Sequence, residues 1–259
     1  MRDYLTISSS SLSSFFKCSQ MYKWQFIDER PADEAYLFTT FGSVLHKALE
    51  LHFKYGMSLD EVASSWKALF IAFCTEAKGL NFPNAKELDD CLVKGLLQIG
   101  NVKKMKKRWE NFRVVEIEKY CKIPFINRYL DNVFLSGRID IILENDEIII
   151  CLDWKSSKSK EKDIDNNTQI TFYSFFIKEL YKYPLESIHG ALAYPIDGDI
   201  LFTQRTEEDF ESLFKQINNM LERISKKDFA KEPKLNSRTG DCYFCQYKKT
   251  CAKNDHREL

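Results

Sequence analysis

The sequence is poor in the residues that form long loops. Of its 259 residues only 9 are glycine and 6 are proline, the two residues that most often mark turns and linkers. No internal repeat is visible, and no apolar run approaches the roughly 18 residues of a membrane-spanning helix. This scarcity of loop formers favours one compact, helix-rich domain covering residues 1–259.

The sequence also has no surplus of charge of either sign. Lys+Arg and Asp+Glu balance at 38 each, for a formal net charge of +0. The balance removes the simplest argument for nucleic-acid binding, a bulk basic surplus, but it leaves local basic patches open. Because the start at Met1 is not followed by the apolar segment of a signal peptide, we expect a cytoplasmic protein that does not enter a membrane.

The eight cysteines are too few for a disulfide scaffold, and a chain of this length does not need one. Their positions are more informative. A C-x2-C-x5-C pattern near the end of the sequence, with one more cysteine far upstream, suits four-fold ligation of zinc or of an iron-sulfur cluster, and the spacing leaves both open. These four cysteines are Cys18, Cys242, Cys245 and Cys251. The others are expected to be reduced core residues: Cys74, Cys91, Cys121 and Cys151.

Hydrophobic periodicity predicts helices first, then a β-meander, then a helix-strand-helix unit. The predicted helices cover residues 8–26, 41–55, 58–108 (interrupted near Pro83), 167–183 and 207–226. The predicted strands cover 114–124, 132–143, 147–153 and 189–195. This order indicates an α/β fold with a small mixed sheet flanked by helices.

The most informative pattern is GRID at 137–140, followed after a short turn by DWK at 153–155. With a two-residue turn at 145–146, Asp140 would lie opposite Cys151 and diagonal to Asp153, close enough for both carboxylates to bind one Mg²⁺. Lys155 would stand beside the metal, where an ammonium group can orient a water or stabilise charge on a phosphate. The alternative is a cross-strand ion pair between Arg138 and Asp153 with no catalytic role.

Three more residues suit such a site. His46 lies on the flank of the helix predicted for 41–55, where a neutral imidazole can supply a further metal ligand. Gln169 and Tyr173 are four residues apart and share a helix face. Each also has an ordinary explanation: His46 as a surface or core histidine, and Gln169 and Tyr173 as helix residues without a special role. None of them therefore decides the function alone.

Six motifs, in their order along the chain, resemble one family. They are Ser8-x-Ser10…Cys18, Gly42-x3-His46, GRID at 137–140, Asp153-x-Lys155, Gln169-x3-Tyr173 and Cys242-x2-Cys245-x5-Cys251. This order is similar to that of the iron-sulfur RecB-like exonucleases of the PD-(D/E)XK nuclease superfamily, which include the AddB nuclease domain and CRISPR-associated RecB-like exonucleases. The likeness extends from Ser8 to Cys251 but leaves residues 57–110 without a motif.

The resemblance implies a restriction-endonuclease-like core, a helical insertion over 57–110, and an iron-sulfur subdomain formed by 1–26 and 230–259. It implies a [4Fe-4S] cluster held by Cys18, Cys242, Cys245 and Cys251. Ser19 is a departure, since the family commonly has proline after the first cluster cysteine.

The resemblance also implies the catalytic residues. Mg²⁺ or Mn²⁺ would be held by His46, Asp140, Asp153 and the Trp154 carbonyl. Lys155 would position or activate the attacking water, while Gln169 and Tyr173 would help to hold the DNA strand and Lys155. Asp153 stands where the family often has glutamate, which shortens its reach to the metal.

The implied function is a metal-dependent DNA exonuclease that prefers single strands or DNA ends, in recombination, repair or CRISPR-type processing, with recombination or CRISPR-adaptation proteins as partners. One alternative is a DNA-end-binding component of a recombination or spacer-acquisition complex whose nuclease activity is gated or secondary; another is a nuclease acting on RNA. Local positive charge is expected from the run 103–108 and from Lys155, Lys158, Lys160 and Lys162. The candidate base-stacking residues are Trp109, Tyr120 and Trp154.

Overall fold

The computed structural model describes residues 4–157, 164–229, 242 and 244–255. In these residues a short first strand is followed by five α-helices, three strands, a helix, two strands and two helices. The helices are α1 (Ser9–Lys17), α2 (Ser19–Tyr22), α3 (Leu37–Phe53), α4 (Leu59–Glu76), α5 (Ala85–Met105), α6 (Thr168–Tyr181), α7 (Glu207–Ser225) and α8 (Lys248–Asp255). The strands are β1 (Leu5–Ile7), β2 (Arg113–Pro124), β3 (Val133–Glu144), β4 (Ile149–Trp154), β5 (Ile188–Tyr194) and β6 (Asp199–Gln204).

The strands form one mixed sheet in the order β1-β3-β4-β5-β6, with β2 also paired to β3. The pairs β1–β3 and β4–β5 are parallel, and the other pairs are antiparallel. The predicted mixed α/β fold is therefore confirmed. Strands β1 and β6 were not predicted. Strand β1 has only three residues, too few for a periodic signal, whereas β6 follows an Asp197-Gly198 turn that is a recognised hairpin signal.

Two hydrophobic cores fill the faces of the sheet. On one face Phe15 of α1, Phe176 of α6 and Ile217 of α7 belong to a single buried cluster. On the other face Leu45 of α3 packs into a cluster with Leu152 of β4. The sheet is thus covered by helices on both sides, as strands buried on both faces require.

A third core joins α3, α4 and α5, and the two latter helices lie within the range 57–110. Each starts at a capping box, from Ser58 and from Asn84. Gly95 lets them approach closely, because an added Cβ would lie 2.0 Å from the Trp66 ring. Of the helices in the described ranges, none has the length and apolar character needed to span a bilayer.

The prediction of one helix over 8–26 is wrong. Ser8 caps α1 as expected, but α1 ends at Lys17 and Cys18 has an extended backbone (φ −162°, ψ 109°). Helix α2 follows and continues into a π-helical turn at Lys23–Ile27. Periodicity could not reveal this break, because apolar residues stand at helical spacing on both sides of it.

The predicted register of the β3–β4 hairpin is wrong by two residues. Cys151 pairs with Ile142, not with Asp140. The turn has four residues because the Asn145 side chain accepts hydrogen bonds from the next backbone N–H groups, including that of Ile148 at 2.9 Å. A shift of two preserves the face on which each side chain lies, so Asp140 still lies beside Asp153, directly across rather than diagonally.

Candidate metal centre

One helix and two strands bring possible metal ligands together. His46 of α3, Glu118 of β2 and Asp140 of β3 each offer a donor atom, and these atoms lie within 4.8 Å of one another. His46 Nδ1 is 3.3 Å from Asp140 Oδ1. Among the described residues this is the one group of three His, Cys, Asp or Glu donors at that spacing. It contains two residues predicted as metal ligands, His46 and Asp140, and one that sequence reasoning missed, Glu118.

Glu118 has an unusual backbone for a strand. Its φ of +53° lies in the left-handed region, which costs a non-glycine residue about 1 kcal/mol or more and is concentrated at functional sites. Its position between the pairs Ile117↔Ile141 and Lys119↔Ile139 places it beside Asp140.

The sequence did contain a signal for Glu118. Glu118 and Glu116 share the alternating pattern of the strand predicted for 114–124. Only the register of β2 against β3 shows which of the two lies beside Asp140. Glu116 instead pairs with Lys119 at 2.7 Å.

The buried carboxylate of Asp153 is the centre of a hydrogen-bonded network. Asp153 is 2% exposed, and Lys155 Nζ lies 2.7 Å from its Oδ2. Gln169 Nε2 donates to Asp153 Oδ1 at 2.6 Å, while Gln169 Oε1 accepts from Lys155 Nζ at 2.8 Å. Tyr173 Oη accepts from Gln169 at 2.7 Å and donates to the Arg138 carbonyl at 2.5 Å. A single amide therefore fixes the acid and the lysine relative to each other.

The N-terminal end of helix α6 places the Gln169 amide in this network. Its N-cap is Asn167, whose side chain accepts the Ile170 N–H at 2.9 Å, so Gln169 lies in the first turn and Tyr173 one turn later. Gly137 allows the helix to pack on β3, since an added Cβ would lie 2.8 Å from Phe176. The glycine of the GRID pattern thus serves packing rather than chemistry.

Trp154 contributes through its backbone. Its N–H donates to Asp140 Oδ2 at 2.7 Å and orients that carboxylate, while its ring is 3% exposed in the core. The prediction that Trp154 and Trp109 stack on bases is therefore wrong. Trp109 is 7% exposed and packs edge-on against Trp154 with ring centroids 5.9 Å apart. Tyr120, by contrast, is 53% exposed.

The predicted basic residues divide into two sets. Within the run 103–108, Lys106 Nζ lies 2.9 Å from His52 Nε2 and over the Phe53 ring, so this lysine faces the protein. Lys158, Lys160 and Lys162 lie outside the described residues.

The alternative prediction of an ion pair between Arg138 and Asp153 is wrong. The Arg138 guanidinium instead faces Glu118 at 3.8 Å.

The crowding of carboxylates shifts their pKa values. Burial, with the Asp140 charge, raises the pKa of Asp153 to about 6 even though Lys155 opposes the shift. Burial and Asp140 also raise the pKa of Glu118. Burial would lower the pKa of His46, but Asp140 first and then Asp153 and Glu118 outweigh it and raise that pKa to about 9. The site therefore holds more negative charge than its neighbours neutralise, the condition that a bound cation relieves.

The donor set fits a divalent cation. Carboxylate oxygens and an imidazole nitrogen are suitable ligands for Mg²⁺ and Mn²⁺. The buried Asp153 Oδ2 has the Lys155 ammonium 2.7 Å away. A carboxylate oxygen has two lone pairs, so Oδ2 can accept from this ammonium and still bind a metal.

The four cysteines predicted to bind a cluster lie near one another. Burial raises the pKa of Cys245, and the thiols of Cys18, Cys242 and Cys251 raise it further. The fold therefore brings Cys18, at the end of α1, within electrostatic range of Cys245, although among the described residues these thiols do not form a group at the spacing of the His46, Glu118 and Asp140 donors. Of the four predicted core thiols, Cys74, Cys121 and Cys151 are buried, and Cys91 is partly buried.

The segment that carries these cysteines is fastened to residues 24–36. Tyr247 is 2% exposed, and its hydroxyl donates to the Arg30 carbonyl at 2.9 Å. The Asp33 carboxylate accepts the backbone N–H and the hydroxyl of Thr250, both at 2.7 Å. These hydrogen bonds join two distant parts of the sequence.

Comparison with known proteins agrees with this site. A model of the PD-(D/E)XK nuclease superfamily matches residues 6–252. The chain belongs to this superfamily. Membership in the PD-(D/E)XK superfamily implies a nuclease that uses divalent metal ions and acts on DNA, and the cluster of His46, Glu118 and Asp140 accords with metal binding.

Two solved structures are similar in outline. One, titled "Crystal structure of SSO0001", is 14% identical, with 83% of this chain and 97% of that chain covered and a TM-score of 0.36. The other, protein VC1899 from Vibrio cholerae, is 10% identical, with 86% and 58% covered and a TM-score of 0.25. At these TM-scores neither structure bears on the function of this PD-(D/E)XK protein. No curated protein matches the chain.

Proposed function

We propose that this PD-(D/E)XK protein is a metal-dependent DNA exonuclease of the iron-sulfur RecB-like type, which hydrolyses phosphodiester bonds in single strands or at DNA ends during recombination, repair or CRISPR-type processing. The observation that carries the proposal is the network in which Gln169 holds Lys155 against the buried Asp153, beside the donor atoms of His46, Glu118 and Asp140. An ordinary surface ion pair needs neither the buried acid nor the shared amide.

In this proposal His46, Glu118, Asp140 and Asp153 hold Mg²⁺ or Mn²⁺, with the Trp154 carbonyl as a further ligand. When bound, the cation supplies positive charge that stabilises the negative charge developing on the scissile phosphate. Asp140 is oriented for this task by the Trp154 N–H. The four protein groups come from α3, β2, β3 and β4, so the packing of these elements sets their spacing.

Lys155 acts on the attacking water in this mechanism. Its ammonium is held by Asp153 and by the Gln169 oxygen, and an ammonium fixed in this way can orient a water or stabilise charge on a phosphate oxygen. Tyr173 limits the rotation of Gln169 by accepting from its amide and donating to the Arg138 carbonyl. In this proposal Gln169 and Tyr173 are positioning residues for Lys155, which is the part of their predicted role that these contacts support.

We further propose that Cys18, Cys242, Cys245 and Cys251 bind a [4Fe-4S] cluster, in a subdomain built from 1–26 and 230–259, and that 57–110 is a helical insertion. The Cys18, Cys242 and Cys251 thiols lie close enough to Cys245 to raise its pKa, which supports a cluster that the four cysteines share. Protein purified without oxygen should be brown, and a Cys245→Ser variant should lose the colour and unfold at lower temperature. Colourless protein with stoichiometric zinc would overturn the cluster.

The nuclease proposal is tested with linear single strands labelled at the 5′ or 3′ end and with circular single-stranded DNA, in Mn²⁺ or Mg²⁺. An exonuclease releases short products from linear strands and leaves the circle intact. Asp140→Ala and Lys155→Ala should be inactive. If the parent binds DNA ends without cleaving them, the protein is the end-binding component of a complex instead. If it cleaves RNA strands in preference, the assignment to DNA is wrong.

A further inference from the structure

Beyond the metal centre, β2 and β3 continue as a ladder, joined by β1 at its far end, that presents cations and aromatic rings to solvent. Tyr120 pairs with Arg138 across this ladder, and Lys122 pairs with Ser136. The Tyr120 residue is 53% exposed, and the Arg138 side chain is 60% exposed. The alternate residue Cys121 is buried in the core, so strand alternation turns Tyr120, Lys122 and Arg138 outward.

A cation and two rings are fixed at the far end of this surface. Lys122 Nζ lies 4.0 Å from the centre of the Tyr4 ring and 4.2 Å from that of Phe134. The two rings meet edge to face with centroids 5.9 Å apart, and Tyr4 is 43% exposed. Because its position over two rings orders the Lys122 ammonium, its positive charge has a defined place near the surface.

The surface is continuous with the metal centre. Arg138 Nη1 is 3.8 Å from Glu118 Oε2, and Glu118 is one of the clustered donors. Two residues of a strand span about 7 Å. The Tyr120–Arg138 pair therefore lies about 7 Å along the strands from the Glu118–Asp140 pair, and Lys122 follows about 7 Å further on.

We propose that this outer hairpin face, formed by Tyr4, Tyr120, Lys122, Phe134 and Arg138, binds the single-stranded DNA that enters or leaves the metal centre. The proposal rests on the proposed nuclease function and specifies its substrate. Arg138 and Lys122 contact successive phosphates, and Tyr120 stacks on a base between them.

The chemistry of the hairpin face favours a single strand over a duplex. Exposed rings bind the flat faces of bases, which are available in a single strand but are covered by stacking in a duplex. Cations spaced along one line complement the charges of one extended backbone. The aromatic and basic groups together therefore match one flexible strand.

Binding is measured in EDTA, so that no hydrolysis occurs, by the fluorescence anisotropy of a fluorescein-labelled 20-nucleotide oligodeoxythymidine. Tyr120→Ala should weaken binding roughly tenfold without changing its salt dependence, since stacking releases no counterions. Lys122→Gln should reduce the slope of log K against log salt by about 0.7, the value for one phosphate contact on a single strand.

Two matched controls lie away from the hairpin face. Phe202→Ala removes a 53% exposed ring from β6, which ends the strand order at the edge of the sheet far from β3. Lys215→Gln removes a cation from α7 whose side chain is 79% exposed. Both should bind the oligonucleotide as the parent does. If Tyr120→Ala and Lys122→Gln also match the parent, or if they weaken binding to a blunt 20-base-pair duplex equally, the proposal is wrong.

A small substrate separates this proposal from the nuclease function. Thymidine 5′-p-nitrophenyl phosphate fills only the metal centre, so Tyr120→Ala should hydrolyse it in Mn²⁺ at the parent's rate while its KM for the oligonucleotide rises. If the parent hydrolyses neither substrate, the proposed nuclease function is wrong. The proposed role of the hairpin face is then decided by the binding data alone. If Tyr120→Ala loses activity on the small substrate as well, Tyr120 supports the metal centre and the proposed role is wrong.

Discussion

Replacing Gln169 by leucine tests how the metal centre positions its lysine. Leucine has a similar volume, so the change removes hydrogen bonds without leaving a large cavity. The substitution deletes the bond to Lys155 Nζ at 2.8 Å and the bond to Asp153 Oδ1 at 2.6 Å. The hydroxyl of Tyr173, 3.4 Å from the same Oδ1, is the neighbour left to replace the second bond.

The size of the effect follows from these contacts. A hydrogen bond to a charged group contributes about 1.5–3 kcal/mol, and each 1.36 kcal/mol in the barrier is a factor of ten in rate. If the bond to Lys155 is needed in the transition state, kcat should fall roughly 10- to 150-fold. The buried Asp153 loses a donor at a cost of about 1–3 kcal/mol, which lowers the Tm of a domain of this size by about 2–10 °C.

The assay is the hydrolysis of thymidine 5′-p-nitrophenyl phosphate in saturating Mn²⁺, with kcat and KM measured separately and Tm measured in EDTA. We expect Gln169→Leu to lower kcat while KM stays within about threefold, since the small substrate does not reach beyond the centre. Gln216→Leu, an exposed position on α7, is the matched control and should leave all three values unchanged.

A different outcome would assign Gln169 another role. If Gln169→Leu leaves kcat on the small substrate unchanged and raises only the KM for DNA, Gln169 holds the DNA strand and does not position Lys155.

Three further predictions concern metal binding and the packing of glycines. Glu118→Gln should raise the Kd for Mn²⁺ by about 10- to 100-fold in a calorimetric titration, and an unchanged Kd would remove Glu118 from the ligands. Gly137→Ala should lower the free energy of unfolding by about 1–3 kcal/mol, because the added Cβ lies 2.8 Å from Phe176. Gly100→Ala is the control: its added Cβ has nothing within 4 Å, so the free energy of unfolding should rise by about 0.5–1 kcal/mol. Both values are measured by urea unfolding. The neighbouring carboxylates outweigh burial and raise the pKa of His46 to about 9 in the metal-free protein, so this imidazole must lose a proton to bind a metal. The affinity for Mn²⁺ should therefore rise by up to about tenfold for each pH unit between pH 7 and 9. An affinity that does not change with pH would contradict this prediction.

Much of the fold follows from local pattern. The helix α3 and the strands β2, β3 and β4 were predicted within a few residues because long apolar periodicities identify them. The break at Cys18 was missed since one extended residue does not disturb the periodicity. The hairpin register was missed because the side chain of Asn145 lengthens the turn, a feature of turn chemistry that alternation does not contain.

The site was predictable where chemistry is local and not where it depends on register. Asp140, Asp153 and Lys155 were found through spacing within one hairpin, and an error of two residues left them on the same face. Glu118 depends on how β2 pairs with β3, which no short motif reveals. Trp109 and Trp154 show the reverse error, because aromatic side chains near a basic run were assigned to DNA although they fill the core.

In the proposed mechanism a divalent metal held at His46, Glu118, Asp140 and Asp153 works with Lys155 to hydrolyse DNA. Its most direct test is the rate at which parent and Lys155→Met digest an end-labelled linear single strand in Mn²⁺, beside a calorimetric Mn²⁺ titration of each. We expect digestion by the parent that EDTA abolishes, with a rate at least about 100-fold lower for Lys155→Met and Mn²⁺ still bound. Intact DNA with the parent in Mn²⁺ and in Mg²⁺, or equal digestion by Lys155→Met, would contradict it.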